Sequence, residues 1–271
     1  MQYPLDIILT TAPSLGGGMG EAILLCCFAF LAGCIDAMVG GGGLIQLPAF
    51  FILQPHLSLV QTLATNKTAS FFGTSVSAYR YMKRVDIDWN HLTPAIIAAF
   101  IGSFSGALLV SYIHKEQFMP FIICVLILVL LYTVFKKELG LHHVDKSLTR
   151  NRYLAYAIFT GGIIGFYDGL IGPGTGSFLI FSFVVLFGYN FLHASANAKI
   201  INVVTNIAAL LFFLFQGNIV WAIALPVGAA NMLGSYVGSH IALKKGSAFI
   251  RLFFILIVLA LIAKLGYDYI L

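Results

Sequence analysis

Charge is what this sequence has least of. Of its 271 residues, 9% are Asp, Glu, Lys or Arg and 60% are apolar, against roughly 25% charged in an ordinary soluble domain. A chain so poor in charge cannot cover a water-facing surface, which excludes disordered segments, nucleic-acid modules and secreted disulfide scaffolds. Cysteine is scarce as well. Cys26, Cys27, Cys34 and Cys124 all lie in apolar runs without metal-ligand spacing. They read as small buried hydrophobes, and neither metal nor cofactor is expected. No Lys or Arg precedes Lys67, so the basic region of a cleaved signal peptide is missing and residues 1–20 are expected outside the cytoplasm. The formal net charge of +5 falls in short runs between apolar stretches. That pattern is a topology signal, not a nucleic-acid footprint.

What remains is an all-α, polytopic helical membrane protein whose first partner is the lipid bilayer. Crossing the hydrocarbon takes about 20 apolar residues in helical form, because lipid satisfies no backbone polar group. Helices are expected near 62–80, 92–113, 118–135, 196–215, 220–243 and 249–270. Two further apolar stretches, 21–54 and 153–190, are interrupted by Gly40-Gly41-Gly42-Gly43 and by Gly172-Pro173-Gly174-Thr175-Gly176. Each should break into two short arms. The one clearly polar connection, 136–152, carries Lys136, Lys137, Lys146, Arg150 and Arg152.

Sliding the chain against itself until Asp36 lies on Asp168 exposes a repeat without gaps. In that register Gly40 meets Gly172, Gly42 meets Gly174 and Lys67 meets Lys199. Further on, Trp89 meets Trp221, Pro94 meets Pro226, Gly102-Ser103 meets Gly234-Ser235, and Gly106 meets Gly238. Rare residues do not fall into register by chance in an apolar chain. The expected layout is a first membrane repeat over 21–135, a cytoplasmic linker over 136–152 and a second repeat over 153–271. Arg80, Lys83 and Arg84 occupy a loop whose counterpart is the uncharged Gln216-Gly217-Asn218, while bases reappear at Lys244, Lys245 and Arg251. The charge bias thus changes sides between halves. That favours inverted repeats, each of three full spans plus a glycine-broken helix or re-entrant hairpin, over a parallel duplication of four spans per half.

Lys67 and Lys199 are the most informative residues. A lysine at mid-bilayer costs about 3 kcal/mol on insertion scales, so it faces protein or water and has a partner. Each lies on a polar stripe at helical spacing: Lys67, Ser70, Thr74 and Ser77 in one half, Ser195, Lys199, Asn202 and Asn206 in the other. They suit a pair of anion sites along a pathway. The structural alternative is an ion pair, since Asp36 precedes Lys67 by the same interval at which Asp168 precedes Lys199. Asp36 and Asp168 suit proton coupling or, more plainly, fixing of the hairpins through backbone N–H groups. The glycine clusters free backbone N–H groups at a helix start and so suit anions. Neither ends in Gly-Lys-Ser/Thr, so no nucleotide is expected. His193, whose register partner is Gln61, reads as an interfacial hydrogen-bonding residue. Gly102/Gly106 and Gly234/Gly238 have the spacing of closely packed helices. A serine nucleophile near Ser103-Phe104-Ser105-Gly106 with His240 is weighed and set aside, because the second half repeats the same small residues.

The segments AGCIDAMVGGGGLIQLP from Ala32 to Pro48, ATNK from Ala64 to Lys67, and GFYDGLIGPGTGS from Gly165 to Ser177 resemble the TauE/SafE family, also called TSUP or the sulfite exporter family, most closely its YfcA-type members. AKIIN from Ala198 to Asn202, with Thr205 and Asn206, extends the resemblance, which covers the chain from about residue 20. It implies a multi-pass secondary carrier of the bacterial inner membrane, not an enzyme, whose relatives export sulfite or organosulfur anions such as sulfoacetate. The expected function is export of a small anion by alternating access, with an anion-selective channel as the alternative. The expected substrate contacts are Lys67, Lys199, Asn66, Asn202, Asn206, Gly42 and Gly174. Homodimerisation is left open.

Overall fold

The computed structural model describes residues 19–110, 127, 140–144 and 148–270, and these contain helix and no strand. The helices are α1 (Met19–Val39), α2 (Gly43–Leu53), α3 (Leu59–Met82), α4 (Trp89–Leu109), α5 (Arg150–Ile158), α6 (Ile164–Leu170), α7 (Thr175–Phe187), α8 (Phe191–Phe215) and α9 (Trp221–Ile270). A π turn, Phe159–Ile163, joins α5 to α6. Gly246, at φ 74°, breaks α9 into arms 221–245 and 247–270. Gly20–Val39, α4 and α8 are each long and apolar enough to cross a membrane. The expected helix 118–135 apart from residue 127, the N-terminal segment to residue 18, and residues 136–139 and 145–147 of the linker lie outside the described residues.

Both glycine clusters break their helices where expected. Helix α1 stops at Val39 and α2 starts at Gly43; α6 stops at Leu170 and α7 starts at Thr175. Gly40 and Gly172, which share a register position, both turn the chain through the left-handed region, at φ 79° and 91°. Only glycine enters that region without strain. Helix starts also follow the register. Ser58 caps α3 in a capping box with Gln61. At the matching position of the second half Asn190 caps α8, accepting from the His193 backbone N–H at 2.8 Å. His193 therefore takes the place of its register partner Gln61. Ser58→Ala should cost about 1 kcal/mol, read as a small fall in the detergent-solubilised melting temperature with transport intact.

Close packing follows the small residues. A Cβ added at Gly234 would lie 1.9 Å from the Phe30 carbonyl oxygen, and one at Gly238 would lie 2.1 Å from that of Cys34. Gly102 stands in the same relation to Gly162, at 2.3 Å, and Gly106 to Phe166, at 2.1 Å. The second pair of contacts is the first with every residue replaced by its register equivalent. Helix α1 thus runs parallel to the first arm of α9, and α4 parallel to the π turn and α6. Helices α3 and α8 lie inside. Their stripes are turned inward, with Thr74, Ser77, Ser195 and Asn206 all buried. One buried apolar cluster joins Leu179 and Phe183 of α7, Phe191 of α8 and Phe254 of α9.

Candidate functional site

The two hairpin breaks meet back to back. A Cβ on Gly40 would lie 2.2 Å from the Gly176 carbonyl carbon, so the two main chains touch. Ser177 stitches them together, its N–H donating to the Gly40 carbonyl at 3.2 Å and its hydroxyl to the Val39 carbonyl at 2.8 Å.

Both buried lysines are paired, but not within their own half. Lys67 Nζ lies 2.8 Å from Asp168 Oδ1, and Lys199 Nζ lies 2.7 Å from Asp36 Oδ2. The matched spacing suggested the pairs Asp36–Lys67 and Asp168–Lys199; the structure exchanges the partners. The reason is the intertwined packing, which lays each broken helix against the long helices of the other half. The carboxylates also differ from the backbone-capping role expected of them, since each meets an ammonium. Thr74 adds its hydroxyl to Asp36 at 3.5 Å.

Beside the first pair lies a cavity of about 30 Å³ whose walls include Asp36, Asn66, Lys67, Asp168, Asn202 and Asn206. Gly174, Ser70 and Thr74 complete the polar lining with Gly43, Thr175 and Gly176. Asp168 Oδ2, Asn66 Oδ1 and Asn206 Nδ2 are buried without a hydrogen-bond partner. Buried polar atoms are paired as a rule, and orphans gathered at one cavity mark a place where something polar binds. The volume suits about one or two waters.

Of the expected substrate contacts, five line this cavity: Lys67, Asn66, Asn202, Asn206 and Gly174. Lys199 and Gly42 do not. Lys199 is fully buried behind Asp36, and the Cα of Gly42 is turned toward α1, where a Cβ would meet Asp36 Cβ at 2.6 Å. In and just after the glycine clusters several backbone amides are already bonded: Leu44 to Gly41, Ile45 to Gly42, Thr175 to Gly172 and Ser177 to Gly40. Sequence reasoning missed Gln46 and Asn231, which share a buried hydrogen bond of 2.7 Å between α2 and α9. Two amides in apolar helices were the available signal. The serine constellation does not assemble: Ser103 donates to the Thr205 carbonyl, Ser105 to that of Ile101, and His240 lies 3.3 Å from Arg80.

Apolar helices closed around a charged, partly unsatisfied cavity define a helical membrane protein with a polar interior. A family model described as "Sulfite exporter TauE/SafE" matches residues 25–265. The chain belongs to that family of membrane transporters and is not an enzyme. It is 35% identical over 241 residues to "Probable membrane transporter protein YfcA" of Escherichia coli (strain K12), covering 89% of this chain and 87% of the relative. It is 35% identical to "Probable membrane transporter protein ORF9" of Sinorhizobium sp, over 89% and 90%. A "Probable membrane transporter protein" of Haemophilus influenzae is 31% identical over 93% and 96%. No solved structure matches.

Proposed function

We propose that this chain is a multi-pass secondary carrier of the bacterial inner membrane that moves a small anion, sulfite or an organosulfonate, by alternating access. The observation that carries this is the cavity at the meeting of the two broken helices, with the Lys67 ammonium in its wall and unpartnered buried atoms of Asn66 and Asn206 beside it. Broken helices meeting at the centre of a duplicated bundle are where carriers bind their substrates. About 30 Å³ is too small for a sulfonate with a carbon backbone, so binding requires the two hairpins to separate, which favours a carrier over an open anion-selective channel.

Inverted repeats are part of this proposal, and helix directions support them. Phe72 sits against Gly228 and Arg80 against Tyr236, so α3 runs parallel to the first arm of α9. The short connection 216–220 turns α8 back on that arm. Helices α3 and α8, register partners, then run in opposite directions. Rocking one half against the other would expose the site to each side in turn. A negative cell interior favours exit of an anion by about 2.3 kcal/mol per net charge per 100 mV.

The test is counterflow of labelled sulfite and sulfoacetate in proteoliposomes. Saturable exchange is expected for at least one of them, with loss of exchange in folded Lys67→Ala. Flux that neither saturates nor shows counterflow would identify a channel instead.

A further inference from the structure

The two ion pairs are equivalent by register but not by surroundings. Asp36 is held by Lys199 and by Thr74, and Lys199 is wholly sealed from the cavity. Asp168 has Lys67 on Oδ1, while its Oδ2 is buried and unpartnered. Both Lys67 and Asp168 line the cavity. Asp36 lines the cavity too, but Lys199 does not, so of the two ammonium groups only that of Lys67 faces the place where a ligand would sit.

Charge decides what an arriving anion must do. Lys67 and Lys199 cancel Asp36 and Asp168, so the site is neutral before anything enters. An anion gains most by taking Asp168's place on the Lys67 ammonium, which leaves a buried carboxylate without a cation. Ionised carboxylates without a partner are not kept in a low-dielectric interior; they are neutralised. Among the described residues, the charged and titratable groups around Asp168 offer no other cation. From α3 there is Lys67, which now holds the anion; across the cavity from α1 and α8 come Asp36 and Lys199, already paired. On α6 itself Tyr167 donates its hydroxyl to the Pro173 carbonyl at 2.5 Å. Helix α4 lays Gly102, Ser103 and Gly106 along the π turn and α6, and none of these titrates.

We propose that Asp168 is the proton site of the carrier: an anion displaces its carboxylate from Lys67, and Asp168 Oδ2 takes up a proton, so that one proton travels with each anion. A hydronium ion from the solution gives its proton to Oδ2, forming one new O–H bond and leaving a water molecule, and the Lys67 ammonium keeps its three hydrogens while exchanging a carboxylate oxygen for an anion oxygen. Asn66 Oδ1, a buried acceptor without a partner, lines the same cavity. A monoanion then crosses without net charge, and a dianion such as sulfoacetate crosses with one negative charge, which the membrane potential still drives outward. The proposal rests on the anion-carrier reading above.

The experiment loads proteoliposomes with a pH-sensitive dye and labelled sulfoacetate, whose sulfonate stays ionised and cannot leak as a neutral acid. Wild type should move about one proton per sulfoacetate during net efflux. In Asp168→Asn the number of protons moved per sulfoacetate should fall by about tenfold or more, at whatever rate of sulfoacetate flux remains. Wild-type efflux without proton movement would overturn the proton site and leave the carrier standing, and it does not depend on any variant folding. Proton movement in Asp168→Asn equal to wild type would also overturn it. Absence of counterflow of both sulfoacetate and sulfite from folded wild type would overturn the carrier reading and the proton site together.

Discussion

Lys199→Met should lower the stability of the folded protein by about 3–5 kcal/mol, a loss large enough to remove most of it from the membrane fraction. The methionine fills nearly the same volume, so the cost comes from charge. Asp36 Oδ2 would lose its partner at 2.7 Å and keep Thr74 at 3.5 Å. Only 16% of the Asp36 side chain is exposed, too little for water to replace the ammonium. Removing both charges removes the penalty, because a buried pair replaced by apolar groups is often neutral in stability. Lys199→Met with Asp36→Leu should therefore recover most of the loss, read as melting temperature and yield of monodisperse protein. Asp168→Leu should fail to rescue it, although Asp168 is the register partner of Asp36. If Lys199→Met is rescued by Asp168→Leu and not by Asp36→Leu, the partner exchange between halves is wrong.

That exchange marks the limit of what could be read from the chain. The glycine breaks were legible because Gly and Pro at a helix interruption have a local meaning, and the structure ends α1 and α6 within a few residues of them. The inward stripes on α3 and α8 were legible because helical spacing alone puts Lys67, Ser70 and Thr74 on one face. Close packing at Gly234 and Gly238 was legible from their spacing, since small residues four apart let backbones touch. Partner choice was not. A repeat detected by sliding the chain gives which residues are equivalent, and equivalence says nothing about whether a carboxylate reaches the lysine of its own half or of the other. Likewise Lys67 and Lys199 are indistinguishable in register. Only the packing makes one face the cavity while the other is sealed behind Asp36. Nor could the chain show how the hairpins meet: a broken helix frees N–H groups, and the opposing hairpin takes the Ser177 N–H through the Gly40 carbonyl.

The second large effect is expected at Gly40. Alanine there meets two separate obstacles. Its φ of 79° is left-handed, which costs a residue with a Cβ about 1–2 kcal/mol. The new methyl would also lie 2.2 Å from the Gly176 carbonyl carbon and 2.5 Å from the Ser177 nitrogen. These are backbone atoms, unable to rotate aside as a side chain would, so the two hairpins must part. Overpacking of this kind costs about 1–3 kcal/mol or more. Together the terms predict a loss of about 2–5 kcal/mol for Gly40→Ala, with no recoverable anion exchange. Gly176→Ala separates the two contributions. Its φ is not left-handed, but its Cβ would lie 2.4 Å from the Gly40 Cα, so it keeps the steric term and drops the conformational one. It should be the milder substitution by about 1–2 kcal/mol, and any protein that folds should exchange anion more slowly, because the hairpins can no longer close on each other. Gly43→Ala is the control: it sits in the same cluster, and its Cβ would meet the Pro173 Cα at an ordinary 3.5 Å. Near-normal folding of Gly43→Ala alongside failure of Gly40→Ala would locate the sensitivity in the contact between hairpins. Equal damage from both would mean that the glycines matter to each hairpin alone, and that the meeting of the two breaks is incidental to transport.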